Sequence, residues 1–216
     1  MSATSRQAES ERVRGHFRAK ARSFDRLYDE EGRLQRFLRP ALAGRADLAV
    51  SIVRSLTDPS VLDVGCGSGR VGERVLEAGA GRYVGIDFST PMLDLARVRL
   101  AQFGPKAELV EGDFLTEPLE GPFDVVLALG LFDYTPEPER FAARMGELSS
   151  GAVVASFPRW TWLKGPIRKF RYEVVNDCPI FDYTEEGVDR LFKESGFSAV
   201  RLHESGRSGI LAVARR

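Results

Sequence analysis

The stretch VLDVGCGSG, Val61 to Gly69, constrains this chain more than any other. Val61, Leu62 and Val64 form a short β-branched and aliphatic run of the kind that buries as a strand. An acid, Asp63, stands at its end, and Gly65, Gly67 and Gly69 follow at alternate positions before helical spacing begins. Glycines in that rhythm allow a tight turn with unusual backbone angles. They also leave no β-carbon to obstruct a ligand approaching the main chain. Strand, glycine turn and helix N-terminus together make the nucleotide-cofactor corner of an open α/β sheet.

A dinucleotide fingerprint, G-x-G-x-x-G, would require a third glycine at position 70, where this chain has Arg70. The order here is D-x-G-x-G-x-G. It resembles motif I of the class I S-adenosylmethionine-dependent methyltransferases of the small-molecule type. The donor in that family has no phosphates but carries an α-ammonium group, to which the resemblance assigns Asp63. In YVGIDFS, a second aliphatic run ends at Asp87. A carboxylate at that strand tip can accept two hydrogen bonds from the vicinal ribose hydroxyls. In LVEGDF, Asp113 follows a third run, and the resemblance puts it at the adenine amino group with Phe114 beside the ring. Acids at three successive strand ends, with the family's spacing, make a far more specific pattern than one glycine turn.

FDVVLALGLFDYTPEP, Phe123 to Pro138, completes the pattern as a buried strand running into a Pro-rich loop. It is similar to the family's motif IV, in which Ala128 to Gly130 would line the methionine end of the donor. The full set of cofactor contacts implied is Tyr28, Asp63, Gly65, Cys66, Gly67, Gly69, Asp87, Phe88, Met92, Asp113, Phe114, Leu129 and Gly130. One departure stands out: the family often has a histidine in the segment equivalent to Leu131–Thr135, where this chain has Phe132, Asp133 and Tyr134. No catalytic base is assigned. His16 and His203 read as surface or capping residues, and Asp133 and Tyr134 are candidates on position alone.

Around the motifs, strands alternate with helices: strands at 61–64, 83–86, 107–110, 124–129 and 153–156, helices at 69–78, 90–103 and 137–148. That alternation predicts βαβ units and a parallel sheet. Thr184 is expected to cap a helix that Gly196 stops, and 197–202 and 210–213 read as two strands joined by a Ser- and Gly-rich turn. The fold class expected is therefore α/β: a Rossmann-like, seven-stranded, mostly parallel sheet ending in an antiparallel hairpin. Residues 1–56 carry helical spacing (Val13, Phe17, Phe24, Leu27, Tyr28, Leu34, Phe37, Leu38), interrupted near Gly32 and Pro40. They are expected to form a helical lid on the methyltransferase domain at 57–216. Residues 157–183 break the alternation with Trp160, Trp162, Phe170, Tyr172, Phe181 and Tyr183 among basic residues. This insertion reads as a substrate cap, with Trp160 or Trp162 as an aromatic wall and Arg159 or Arg171 meeting an acidic group.

The 216-residue length suits one domain, and 31 Lys and Arg balance 31 Asp and Glu, so no global field points to nucleic acid or membrane. Cys66 and Cys178 give neither a zinc spacing nor a disulfide framework, and no metal site is expected. The longest apolar run, Val125 to Phe132, is broken by a glycine and is too short to cross a bilayer. The polar N-terminus lacks the apolar core of a signal peptide, and a cytoplasmic protein is expected. The reading is donor-dependent methyl transfer to O, N or C of a small organic acceptor, with no nucleic-acid partner; the fourth strand is not followed by the N/D-P-P-Y signature of DNA amino-methyltransferases. An NAD(P)-dependent oxidoreductase and a non-catalytic partner subunit of the same fold are the alternatives.

Overall fold

The longest apolar runs of the chain lie side by side at the centre of one sheet. A computed structural model describes residues 9, 11–13, 15, 40–159, 178–204 and 209–216. In chain order these form α1 (Pro40–Arg54), β1 (Ser60–Val64), α2 (Arg70–Glu77), β2 (Arg82–Asp87), α3 (Thr90–Leu100), β3 (Ala107–Glu111) and β4 (Phe123–Ala128). There follow α4 (Pro138–Glu147), β5 (Ser149–Pro158), α5 (Glu185–Glu194), β6 (Ala199–Glu204) and β7 (Gly209–Arg215). The strands make a seven-stranded sheet in the order β3-β2-β1-β4-β5-β7-β6. All neighbours are parallel except β7, which runs antiparallel to both β5 and β6. The expected parallel sheet with its terminal hairpin is therefore present. The order reverses at β1, whose neighbours are β2 and β4, and ligand crevices form at such switch points.

Alternation along the strands divides the core into two layers. Leu62 and Val64 of β1 face a cluster with Ala142 and Met145 of α4 and Val188 and Phe192 of α5. Val61 faces the other side, with Ala49 and Val53 of α1, Val75 of α2 and Leu93 of α3. On the first side, aromatic rings tie the chain after β4 to β5 and α5. Phe132 stacks on Phe157 at 4.4 Å, and Phe157 meets Tyr183 at 5.0 Å and Phe192 at 5.9 Å. Each such pair contributes about 0.5–1.5 kcal/mol beyond its buried area.

Several boundaries depart from the sequence expectation, each for a physical reason. β5 extends well past 153–156 because β7 pairs with it from Ala152 to Pro158. α3 stops at Leu100, short of 103, and passes into a 3-10 turn over Ala101–Lys106 that contains Gly104 at φ 54 and Pro105. The expected interruption near Pro40 agrees with α1 beginning at that residue, as suits one without an N–H to donate. Thr184 caps α5 as expected, its Oγ1 accepting from Gly187 N at 3.1 Å. Ser89 occupies the N-cap of α3, but its side chain makes no capping bond. In the first 56 residues, positions 9, 11–13 and 15 are helical and Val13 is buried. Tyr28 and the aromatic and aliphatic positions from Phe17 to Leu38 lie outside the described residues.

Two glycines separate a packing requirement from mere helix propensity. A β-carbon at Gly72 of α2 would lie 2.5 Å from Cζ of Tyr83, whose ring is fully buried and cannot swing away. A β-carbon at Gly44 of α1 would meet nothing within 4 Å. Gly72→Ala is expected to destabilise the fold by about 1–3 kcal/mol in urea denaturation. Gly44→Ala is expected to leave it unchanged or more stable by up to about 1 kcal/mol.

Candidate functional site

The turn after β1 is stitched to the end of β2 by backbone bonds. Gly65 N and Cys66 N both donate to the Ile86 carbonyl, at 2.8 and 3.1 Å. Gly65 (φ 72) and Gly67 (φ 54) hold the left-handed backbone this path requires. Gly67 N then donates to Oδ2 of Asp87 at 2.9 Å, while Oδ1 accepts from Ser89 N at 2.9 Å. Asp87 is thus fixed by main-chain donors, Phe88 N–H among them. Burial pushes its carboxyl above the usual range, against the opposing pull of those N–H groups.

Above this turn lies a cavity of about 630 Å³ at the carboxyl ends of the central strands. Gly65 and Gly67 contribute to its wall after β1, and Asp87, Phe88 and Met92 after β2. Asp113 and Phe114 line it after β3, and Gly130 after β4. These predicted residues, scattered through the sequence, share one space. A β-carbon on Gly67 would meet no protein atom within 4 Å, so this glycine leaves its side of the wall open. Oδ1 of Asp113 accepts from Leu115 N at 3.0 Å, which fixes the acid at the mouth of its turn. Gly130 N donates to Oγ of the fully buried Ser156 at 2.8 Å.

Four predicted residues lie elsewhere. Gly69 caps α2, and a β-carbon there would press on Ala96 and Leu100 of α3 at 3.2 Å, so close helix packing accounts for it. Cys66 is buried and Leu129 packs against the α1–α3 layer, and neither is part of the wall. Asp63 is only 2% exposed and also stands behind the wall. Its Oδ2 accepts a hydrogen bond from the Tyr83 hydroxyl at 2.9 Å. Burial raises its carboxyl to about 7, with a further push from Asp87, while the Tyr83 bond opposes the shift.

The wall also holds residues the sequence reading did not single out as cofactor contacts. Tyr134, Thr135 and Pro136 follow β4, Glu137, Arg140 and Phe141 come from the start of α4, and Glu11 and Val13 come from the N-terminal helical residues. The YTPEP turn was the available signal for the first group, since a Pro-rich turn after a buried strand ends at the ligand side of the sheet. Phe132, beside them, is fully buried in the aromatic core and cannot reach a ligand. Thr135 Oγ1 donates to Leu131 O at 2.9 Å, and Phe181 N donates to Asp133 O at 3.0 Å. Arg159, expected to meet an acceptor, is instead ion-paired with Glu185 and, at 3.8 Å, with Glu204, away from the wall. Trp160, Trp162 and Arg171 lie outside the described residues. His203 is exposed on the edge strand β6. Among the described residues the wall carries Glu11, Asp87, Asp113 and Glu137 against Arg140, a balance that favours a cationic ligand. No cluster of metal-ligating side chains occurs among them, and no helix is long and apolar enough to cross a membrane.

Residues 61–149 match the family described as methyltransferase domain. The chain is 36% identical over 86 residues to a ubiquinone biosynthesis O-methyltransferase of Dechloromonas aromatica, covering 39% of this chain and 37% of that one. It thus spans well under half the length of the first curated relatives it matches. A magnesium-protoporphyrin O-methyltransferase of Rhodobacter capsulatus is 26% identical over 210 residues, covering 91% of this chain and 90% of the relative. Among solved structures, magnesium protoporphyrin IX methyltransferase from Synechocystis PCC 6803 with bound S-adenosylhomocysteine superposes with a TM-score of 0.73 at 20% identity. The alignment covers 94% of this chain and 98% of that one. A 1,6-didemethyltoxoflavin-N1-methyltransferase from Burkholderia thailandensis gives 0.74 at 16% identity, over 100% and 91% of the two chains. These likenesses establish the fold.

Asp63 gives the site a measurable pH signature. Its folded carboxyl keeps a proton up to about pH 7, whereas an unfolded one releases it near 3.8. Between those values the folded state binds more protons, so the stability from this group is full below about pH 4 and is lost as pH rises through about 7. Asp63→Asn keeps a hydrogen-bond acceptor for Tyr83 but cannot ionise. Relative to the parent, the variant is expected to gain stability steadily from pH 4 to 7 and no further above it, as read by denaturant unfolding across that range.

Proposed function

We infer that this chain, which carries a methyltransferase domain of the class I S-adenosylmethionine-dependent type, transfers a methyl group from S-adenosylmethionine to a small organic acceptor. The observation that carries this reading is the convergence of Gly67, Asp87, Asp113 and Gly130, from four strand ends, on one acidic cavity. The residues present fit the donor. The open face at Gly67 admits a ligand against the main chain. The fixed Asp87 carboxylate suits a ribose diol, and the excess of acids suits a net positive molecule. In this reading Phe88 and Met92 border the nucleoside, Asp113 and Phe114 the adenine, and Gly130 the methionine part. Asp63, from behind the wall, supplies negative charge for the ammonium group. When bound, the donor supplies a methyl group already activated on a sulfonium. What the protein adds is alignment of donor and acceptor and exclusion of water.

The acceptor we propose is a planar, conjugated small molecule methylated on oxygen. The supporting facts are the O-methyltransferase relatives named for ubiquinone and magnesium protoporphyrin, and the apolar and hydroxyl groups of Leu131, Tyr134, Thr135 and Phe141 on the wall. Residues 1–56 act as a lid, a reading supported by Glu11 and Val13 at the wall. Of the segment 157–183, Phe157 and Pro158 belong to β5; the part beyond them acts as an acceptor cap, supported by the bond from Phe181 to the loop that carries Tyr134. Tyr28 belongs with the lid in this proposal.

Calorimetry with S-adenosylhomocysteine and with NAD(H) tests the donor assignment: binding of the first alone is expected, and binding of the dinucleotide alone would replace it with an oxidoreductase. Asp87→Ala is expected to weaken S-adenosylhomocysteine by about 1.5–3 kcal/mol, roughly tenfold or more. Gly67→Val should weaken it further by placing a branched side chain at the open face. A folded Asp87→Ala variant with an unchanged dissociation constant would remove the ribose assignment.

A further inference from the structure

The Tyr83 side chain is a polar group in the α1–α3 layer for which the fold makes special room. Its ring passes where a β-carbon on Gly72 would lie 2.5 Å from Cζ, and its hydroxyl passes where one on Gly85 would lie 2.9 Å away. That same point on Gly85 is 2.9 Å from the Cys66 thiol, so the hydroxyl arrives directly under the glycine turn. There it donates to Oδ2 of Asp63 at 2.9 Å. A phenylalanine would fill the same volume but leave the buried Asp63 carboxyl without this hydrogen bond. The hydroxyl therefore serves the Asp63 carboxylate and, beside it, the Cys66 thiol.

We propose that Tyr83 is a positioning residue for the donor's amino-acid end: its hydroxyl holds the Asp63 carboxylate beneath the glycine turn, where that carboxylate supplies the counter-charge for an ammonium group. This rests on the donor assignment above and deepens it. Desolvation works against the charged form of Asp63, and the hydroxyl is the group that favours it. The other titratable neighbours are Cys66 in the turn, whose thiol burial drives up, and Asp87 at the end of β2. Arg99 of α3 reaches the turn through the Ser68 carbonyl and pairs with Glu73 at 3.7 Å. From α1, α2 and β4 the layer presents Ala49, Val53, Val75 and Leu127.

Two ligands separate this role from a structural one. S-adenosylhomocysteine carries the ammonium; 5′-methylthioadenosine has the same adenine and ribose without the amino acid, so it reports an intact nucleoside site. For the parent protein, S-adenosylhomocysteine affinity should rise with pH from 6 to 8 by up to about tenfold, and 5′-methylthioadenosine affinity should stay flat. Tyr83→Phe is expected to move the midpoint up by about one pH unit and to weaken S-adenosylhomocysteine about fivefold at pH 7. It should leave 5′-methylthioadenosine within about twofold. Asp63→Asn reads the same charge from its other partner and should abolish the pH step while retaining the nucleoside ligand. Equal weakening of both ligands by Tyr83→Phe, or a pH step that survives Asp63→Asn, would overturn the proposal. A parent protein that binds neither ligand would instead overturn the donor assignment on which it rests.

Discussion

The hydrogen bond from Gly67 N to Asp87 Oδ2, at 2.9 Å, joins the two halves of the site. It closes the turn after β1 onto the tip of β2, and the rest of the cavity is arranged about that junction. The turn can make it only because Gly65 and Gly67 adopt positive φ, and the tip is in register because β1 and β2 pair from Ser60↔Arg82 to Val64↔Ile86. A shift of one residue would turn Asp87 to the other face and move the whole core face of β2 with it. The switch in strand order at β1 then leaves room above the junction, with β4 on the far side to supply Gly130.

This arrangement places two carboxylates, Asp63 and Asp87, in surroundings that disfavour their charge. Such groups cost stability when uncompensated, and the compensation differs between them. Asp87 takes backbone N–H donors from Gly67 in the turn after β1 and from Phe88 and Ser89 just beyond its own strand. Asp63 takes one phenol, for which Gly72 and Gly85 must stay small. The aromatic cluster on the opposite layer, from Phe132 through Phe157 to Phe192 and Phe197, anchors the loop after β4 so that this side of the cavity has a firm edge.

The parallel order, the glycine turn and the acids at the strand tips were legible in the sequence because each follows from local chemistry. Apolar runs four to six residues long, bounded by Gly or Asp, have few other uses in a chain of alternating elements. Strand ends were less legible: β5 begins at Ser149, opposite Phe123 of β4, and runs on to Pro158 because β7, from the far end of the chain, pairs with it. The position of Asp63 behind the wall was not legible either. Spacing alone does not tell which face a residue at a strand end presents, and the Tyr83 hydroxyl that receives it lies 20 residues away. The ion pairs of Arg159 were hidden from the sequence for a related reason. A cation beside aromatic residues reads as a ligand contact, but Glu185 and Glu204 are brought to it only by α5 and β6.

In the proposed function, the cavity above the Gly67–Asp87 junction holds an adenosyl donor. A crystal structure of the chain grown with S-adenosylhomocysteine measures this most directly. Both ribose hydroxyls are expected at hydrogen-bond distance from the Asp87 carboxylate, about 2.5–3.0 Å, with the adenine against Phe88 and Phe114 and the thioether beside Gly130. A ligand bound away from this cavity, or one whose ribose turns from Asp87, would contradict it.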